Sequence, residues 1–135
     1  MTDVESRESE RKEKSIMQRF TELKVWQRSH ALVLAVYRLT AKFPVEERFG
    51  LVGQLRRATL SVPTNIAEGS KRQSGPEYAR FLNIAEGSLA ELEYLLLVSR
   101  DLTYATANTV QPLLTEADAI ARMLHALRMK VVGSS

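Results

Sequence analysis

The sequence predicts an all-α protein: one antiparallel, up-down-up-down four-helix bundle over residues 21–132. Two long segments place apolar residues at alternating steps of four and three, the heptad spacing of helices that pack side by side. Two further segments carry broader helical stripes, and the connections between segments are short, which favours antiparallel neighbours. Strand-like alternation is absent from the sequence, and 135 residues with 44% hydrophobic content suffice for one core.

The first helix is predicted from about residue 23 to residue 42. It ends at Phe43-Pro44, because a residue that precedes proline avoids helical dihedral angles. Its apolar stripe consists of Trp26, Val33, Val36, Tyr37 and Leu39.

The second helix is predicted over about residues 51–68. Its apolar residues recur at helical spacing, at Leu51, Leu55, Ala58, Val62 and Ile66. Pro63 lies inside this pattern and deprives the Thr59 carbonyl of its hydrogen-bond donor, so we expect a bend there. Gly69 is expected to end the helix.

The third and fourth helices carry the two heptad seams. Ser74 and Glu77 have the spacing of a capping box and Pro76 suits a first turn, so the third helix is predicted to begin there and to end near residue 102. Its seam consists of Tyr78, Leu82, Ala85, Leu89, Leu92, Leu96 and Ser99. The fourth helix, about residues 110–131, has a seam of Leu113, Ala117, Ile120, Leu124, Leu127 and Val131.

Residues 1–20 form a charged segment in which five cations and five anions cancel. Such a segment buries too little apolar surface to offset its ordering entropy, so we expect a disordered or fraying helical tail. A nucleic-acid-binding arm is the alternative. The formal charge of +3 therefore belongs to the folded part.

Several functional classes lack their sequence signals. Without cysteine, an 18-residue apolar run or a secretory leader, the chain is expected to be soluble and cytoplasmic, with no membrane partner. His30 and His125 are not preceded at three residues by the glutamate of a di-iron helix, and no phosphate-binding glycine loop is present. We predict no metal, no cofactor and no enzymatic activity, although a nuclease with a concealed site stays an alternative.

A hexapeptide, Asn-Ile-Ala-Glu-Gly-Ser, occurs at residues 65–70 and again at 83–88. The second copy lies inside the third helix, where Gly87 costs about 1 kcal/mol relative to alanine. We therefore expect another backbone to approach Gly87 closely, either across the bundle or from a second subunit. Ligand binding is the alternative.

A basic cluster surrounds the second helix and the turn after it. It comprises Arg56, Arg57, Lys71, Arg72 and Arg80, and few acidic residues lie near it in sequence. It can neutralise phosphates of a nucleic acid, RNA or DNA, or it can serve only solubility. Both interpretations stay open.

Eight aromatic residues exceed what one bundle seam can bury. They are Trp26, Tyr37, Phe43, Phe49, Tyr78, Phe81, Tyr94 and Tyr104. Surplus aromatic surface is typical of an interface, so the sequence predicts a homo-oligomer.

Several ordered motifs resemble one known family. They are Phe20-Thr21-Glu22-Leu23-Lys24-Val25-Trp26-Gln27, Phe43-Pro44 with Phe49-Gly50-Leu51, Gln54-Leu55-Arg56-Arg57-Ala58, and above all Ser61-Val62-Pro63-Thr64-Asn65-Ile66-Ala67-Glu68-Gly69. Over about residues 20–130 the chain resembles the 23S rRNA intervening sequence proteins. Its matches to the family signature include Gln54, Arg57, Ser61, Pro63, Asn65, Glu68 and Gly69, and also Ala85, Gly87 and Ser88.

The resemblance implies a four-helix bundle that assembles into a homopentameric barrel. Relatives include the accessory variability determinant of diversity-generating retroelements, a basic pentamer that binds a reverse transcriptase and its template RNA. On this basis the chain is expected to be a non-catalytic scaffold for RNA or for a reverse transcriptase–RNA complex. The alternative is a module that binds only protein. The resemblance supplies no catalytic residues.

Overall fold

The computed structural model describes residues 2–8 and 20–133 of the chain. Residues 3–8 of the predicted disordered or fraying helical tail are helical, and residues 1 and 9–19 lie outside the described residues. Throughout the described ranges all regular structure is helical. The long helices are α1 (Lys24–Thr40), α2 (Leu51–Ser70), α3 (Gly75–Asp101) and α4 (Ala107–Val132), and a 3-10 turn (Val45–Glu47) precedes α2. The predicted all-α class is confirmed.

The four long helices surround one apolar core. Helix α3 packs against α2 and α4, and α1 also packs against α2 and α4. Within the described residues the backbones of α1 and α3 do not approach each other, so each helix has two neighbouring helices and one outward face.

The heptad seams identify the core residues of α2 and α3. All five predicted positions of α2 are buried, and in α3 every predicted position except the half-buried Tyr78 is at most 1% exposed. The seam of α4 is buried only at its centre, at Ala117, Ile120 and Leu124, because its outer members are covered on one side.

In α1 the stripe predicted from the sequence is displaced. Val33 and Val36 are buried as expected, but Trp26 is half-buried and the core also contains Val25 and Leu32. The predicted stripe followed the large aromatic residues. The helix instead turns its β-branched and leucine side chains inward and leaves the indole at the edge.

The start of α3 follows the predicted capping box, and the end of α2 does not follow its prediction. The Ser74 hydroxyl accepts a hydrogen bond from the Glu77 amide at 3.2 Å. Gly69 was expected to end α2, but it is a buried residue inside the helix, which continues to Ser70 with Lys71 as C-cap. The prediction for Gly69 is therefore wrong, and its reason lies in the packing of α3 against it.

Pro63 lies inside α2 and is buried, as the pattern predicts. One turn earlier, the Thr59 side chain is fully buried, and its hydroxyl has no hydrogen-bond partner in the described residues. The expected bend of the helix at this position stays a prediction.

Candidate nucleic-acid interface

A polar groove runs between α2 and α3. It is an open cavity of about 420 Å³ lined by Gln54, Arg57, Ala58, Ser61, Ser88 and Glu91. Four of these residues, Gln54, Arg57, Ser61 and Ser88, also carry the family resemblance, although they come from separate motifs in the sequence. Because α2 and α3 pack side by side, the fold brings them to one surface, which we call the α2–α3 groove.

Hydrogen bonds between hydroxyl and amide groups fix the floor of this groove. The Ser88 hydroxyl donates to the Ser61 hydroxyl at 2.8 Å. The Asn65 side-chain amide donates to the Ser61 hydroxyl at 2.9 Å and to the Ser61 carbonyl at 2.8 Å. Ser61 and Ser88 thus connect the two helices, and Asn65, one turn after Ser61 in α2, holds the Ser61 side chain in place.

Arg57 and Glu91 form opposite walls of the groove. Both side chains are exposed, and within the described part of the chain neither belongs to a salt bridge. The guanidinium of Arg57 lies over Gly53, where an added Cβ would come within 3.2 Å of its Nη1 atom. Gly53 therefore leaves room for this guanidinium at the helix surface.

Arg56 has a different environment from its neighbour. Its Nε atom donates to the Thr40 hydroxyl at 2.9 Å, and its guanidinium lies 4.4 Å from the centre of the Tyr37 ring. A further contact, from Nη2 to the Tyr37 carbonyl, measures 3.4 Å. Arg56 joins α2 to the C-terminal turn of α1, so the structure gives this member of the basic cluster a packing role and not the free surface position predicted for it.

The remaining members of the basic cluster lie at the far end of the α2–α3 pair. Arg72 and Arg80 place their guanidinium groups 4.6 Å and 5.2 Å from the centre of the Phe81 ring, and Lys71 is exposed at the end of α2. At 1.5 Å per residue, Arg57 and Lys71 are about 21 Å apart along α2. The five cations therefore form two separate groups and not one patch.

Gly69 lies where α3 approaches α2 most closely. A Cβ atom at this position would come within 2.8 Å of the Phe81 Cβ and 3.0 Å of the Tyr78 ring. Tyr78 is half-buried here, and this burial raises the pKa of its hydroxyl. Gly69 thus permits the contact between helices, and its position in the family motif has a packing explanation.

The second hexapeptide glycine has no such contact. Gly87 is exposed, and no atom of another part of the described chain lies within 4 Å of a Cβ built on it. The predicted approach of a backbone across the bundle is therefore wrong. The approach of a second subunit stays a prediction.

In the described residues neither histidine belongs to a group of potential metal ligands. His30 stacks on Trp26 with ring centres 5.1 Å apart, and the His125 Nδ1 atom lies 3.1 Å from a guanidinium nitrogen of Arg128. Arg128 is in turn paired with Glu86, and hydrogen bonding to this carboxylate raises the pKa of Arg128. Among residues 2–8 and 20–133, no group of three or more potential ligands is arranged to hold a metal ion.

A second groove, for which the sequence pattern predicts no site, lies between α1 and α2. It is mostly apolar, has a volume of about 380 Å³, and is lined by Phe20, Trp26, His30, Val33, Leu60, Pro63, Thr64, Ala67 and Glu68. We call it the α1–α2 groove. Only the aromatic surplus at Trp26 pointed toward exposed apolar surface at this place. Which residue of α2 faces Trp26 depends on how the helices pack.

The aromatic surplus is only partly exposed. Phe43 and Phe81 are buried, whereas Phe49 and Tyr94 are 91% and 66% exposed. The other four predicted aromatics are half-buried.

None of the helices in the described ranges combines the length and the apolar character that crossing a lipid bilayer requires.

Two comparisons with known proteins bear on this arrangement. A solved structure described as a protein of unknown function from the S23 ribosomal protein family of Bacteroides thetaiotaomicron VPI-5482 superposes with a TM-score of 0.70 at 22% identity. The match covers 77% of this chain and 97% of that chain, and at this identity it shows a shared fold. No curated protein is significantly similar to the chain.

The family comparison reaches further, because it covers most of the chain. The model of the 23S rRNA-intervening sequence protein family matches residues 21–126, which include α1, α2, α3 and most of α4. Neither this family nor the superposed structure is described by a catalytic activity. The chain belongs to the 23S rRNA-intervening sequence protein family.

Proposed function

We propose that the protein is a non-catalytic, homo-oligomeric basic scaffold that binds RNA along its α2–α3 pair. In this proposal the four helices run antiparallel, up-down-up-down, and several copies, five by family resemblance, form a barrel. Arg28 with Glu116, Ser61 with Ser88 and Glu86 with Arg128 are contacts that suit an antiparallel course.

The position of Arg57 is the observation that carries the proposal. Arg57 is an exposed cation without a salt bridge in the described residues, and it lies beside the side-chain amide of Gln54 and the hydroxyl groups of Ser61 and Ser88. A guanidinium next to several hydrogen-bond donors suits a phosphate oxygen, which accepts from both kinds of group. Such a contact attracts RNA through its backbone and does not select a sequence.

Lys71 and Arg72 extend this surface at the other end of the helix pair. Their separation from Arg57, about 21 Å along α2, is comparable to a strand segment of several nucleotides. Glu91 lies on the opposite wall of the groove, and its negative charge repels phosphate. We therefore expect the RNA backbone to contact only the Arg57 side of the groove. Arg56 is left out of the proposed surface because Thr40 and Tyr37 already hold its guanidinium.

The cellular setting leaves two roles for such a scaffold. One is that of an accessory protein that binds a reverse transcriptase and its RNA, and the other is that of a protein encoded in an intervening sequence of a ribosomal RNA gene. Gene neighbourhood separates them, because a reverse transcriptase gene or a ribosomal RNA gene would lie alongside. A purified reverse transcriptase of the same element tests the first role directly by co-sedimentation.

RNA affinity as a function of salt tests the binding proposal. Wild type should bind a single-stranded RNA with a log–log salt slope of about −0.7 for each phosphate that the protein neutralises. Replacing Arg57 and Lys71 by glutamine should make that slope shallower by about 1.4 per subunit engaged, with unchanged helicity.

The matched control replaces Arg38 and Lys42 by glutamine. These two exposed cations border α1, away from the α2–α3 pair, and their loss changes the net charge equally. The proposal predicts a smaller change of slope for this control. If wild type binds no RNA near 50 mM salt, or both double variants lose affinity equally, the α2–α3 RNA surface is refuted and a module that binds only protein takes its place. Cleavage of the RNA during the measurement would instead support the nuclease alternative.

A further inference from the structure

Gly87 makes no close packing contact with another part of the described chain. Glycine in a helix interior costs about 1 kcal/mol relative to alanine, and such a cost is commonly offset by a close contact that a Cβ would prevent. Gly69 has such a contact, because Phe81 and Tyr78 fill the space beside it. No described residue fills the space beside Gly87, which leaves it free for a contact from a second copy.

Apolar side chains flank this opening on the outward face of α3. Ile84 and Tyr94 are 44% and 66% exposed, and with Gly87 they recur at steps of three and seven residues, which places them on one helix face. We call Ile84, Gly87 and Tyr94 the α3 strip. Ile84 lies one turn before the notch at Gly87, and the exposed carboxylate of Glu91 lies between Gly87 and Tyr94 on the same face.

The α1–α2 groove is an apolar recess of about 380 Å³ on another side of the chain. Trp26 and Pro63 form its apolar floor, and Leu34 and Leu60, each 41% exposed, lie on the outer surfaces of α1 and α2. The α3 strip lies on a different side of the chain, since the backbones of α3 and α1 do not approach each other in the described residues. The two surfaces can therefore meet only between separate copies, as a head-to-tail contact.

The two surfaces also lie at the same level along the helices. Ser61 faces Ser88, and Gly69 faces Phe81, so residues 61–69 of α2 run beside residues 81–88 of α3. The groove includes Pro63 and Ala67, and the strip is centred on Ile84 and Gly87. Two copies placed side by side with their helices parallel would bring the strip and the groove together without a shift along the helix axis. The absence of such a shift is the condition for a closed ring.

Charge complementarity points the same way. Glu68 lies on the edge of the groove and belongs to no salt bridge in the described part of the chain. Arg80 lies one helical turn before Ile84 on the strip side of α3, at the level of residue 69 of α2. When strip and groove meet, Arg80 of one copy faces Glu68 of the next.

We propose that the α3 strip of one copy docks in the α1–α2 groove of a second copy, with Ile84 in the groove, Gly87 at the closest backbone approach and Arg80 opposite Glu68. This inference rests on the proposed homo-oligomer and assigns its interface. It also gives Arg80 to assembly and leaves Arg57, Lys71 and Arg72 for RNA.

Substitutions at Gly87 test the contact on the full chain by light scattering and sedimentation over a range of concentrations. Gly87→Leu should raise the dissociation constant of the assembly at least about tenfold, as expected for a central interface position. Ala126→Leu, which adds the same kind of side chain at an exposed position of α4, should leave assembly unchanged. Circular dichroism of dissociated Gly87→Leu should show the helicity of wild type.

Gly87→Ala should change chain stability and assembly in opposite directions, which gives a further test. Alanine favours the helix, so this change should stabilise the dissociated chain and yet weaken assembly. Stabilisation without weaker assembly would overturn the proposal. In a second test, Arg80→Glu and Glu68→Arg should each weaken assembly, and the double variant should recover affinity for itself.

The outcomes separate this inference from the function on which it rests. A wild-type oligomer that Gly87→Leu and the charge swap do not affect refutes this interface and leaves the oligomeric scaffold standing. A wild-type monomer at micromolar concentration refutes both. Loss of assembly with RNA binding to the dissociated chain retained supports the interface and shows that RNA binding does not require assembly.

Discussion

The two copies of the hexapeptide have identical sequences and opposite environments. In the first copy Ile66 is fully buried and Gly69 is packed against α3, whereas in the second copy Ile84 is 44% exposed and Gly87 faces open space. Glutamates differ too, since Glu86 is paired with Arg128 and Glu68 belongs to no salt bridge in the described residues. The isoleucine and the glycine are thus buried in the first copy and exposed in the second.

The difference follows from how each copy is placed relative to the seam of its helix. In α2 the buried stripe passes through Val62 and Ile66, so the isoleucine of the hexapeptide points inward. In α3 the seam passes through Leu82 and Ala85, so the alanine of the hexapeptide points inward instead. One residue corresponds to a rotation of about 100° around the helix, which is enough to move an isoleucine from core to surface. The six-residue motif therefore does not determine which of its residues are buried. The apolar pattern of the flanking helix determines it.

The isoleucines should show the largest contrast. Ile66→Ala should lower the free energy of unfolding by about 2–5 kcal/mol, because it removes buried methyl groups and leaves a cavity. Ile84→Ala should change that of the dissociated chain by less than about 0.5 kcal/mol, as is usual at exposed positions. Urea denaturation below the dissociation concentration measures both. Equal losses would mean that Ile84 is also a core residue, contrary to the rotation.

The glycines should differ in sign. Gly69→Ala should destabilise the fold by about 1–3 kcal/mol, since its Cβ would meet the Phe81 Cβ and neither backbone can yield without shifting a helix. Gly87→Ala should stabilise the dissociated chain by about 0.5–1 kcal/mol. Thermal unfolding of the two variants side by side measures the contrast. A stabilising Gly69→Ala would show that α2 and α3 can accommodate an added Cβ at this contact.

These contrasts mark how far the sequence could predict the structure. The seams of α2 and α3 could be read directly, because burial repeats at the spacing of the helix. Knowing that Ala85 is in the seam already implies that Ile84 is outside it. The Ser74 cap was likewise local and was predicted correctly.

The site was less predictable, because its contacts join residues distant in sequence. The role of Gly69 depends on Phe81 of α3, and that of Arg56 depends on Thr40 of α1. The five cations that cluster in the sequence therefore have three different placements. Arg56 links α2 to α1, and Arg57 lines the α2–α3 groove. The other three, Lys71, Arg72 and Arg80, lie at the far end of the helix pair. Neither periodicity nor charge counting contains this information, which is set by the packing of the helices.

The glutamates offer a smaller contrast than the glycines. Glu86→Gln should lower the melting temperature, because it weakens the hydrogen bonds that join α3 to Arg128 of α4. Glu68→Gln should leave the melting temperature of the dissociated chain unchanged and act only on assembly. Differential scanning calorimetry above and below the dissociation concentration separates the two effects. A fall for Glu68→Gln in the dissociated chain would point to a partner within the same chain.

The asparagines should differ least, and again in sign. Asn65→Ala removes two hydrogen bonds to Ser61, a loss of about 1 kcal/mol that the better helix propensity of alanine partly offsets, so a net destabilisation of about 0.5 kcal/mol is expected. Asn83 is exposed and makes no side-chain hydrogen bond in the described residues, so Asn83→Ala should stabilise by about 0.5 kcal/mol through propensity alone. The separation of about 1 kcal/mol between the variants is measurable by chemical denaturation, whereas each value alone is near the error. Because propensity contributes equally to both, their difference isolates the hydrogen bonds to Ser61. Identical free energies of unfolding would show that these bonds add nothing to the contact between α2 and α3, and that Asn65 serves the surface of the groove instead.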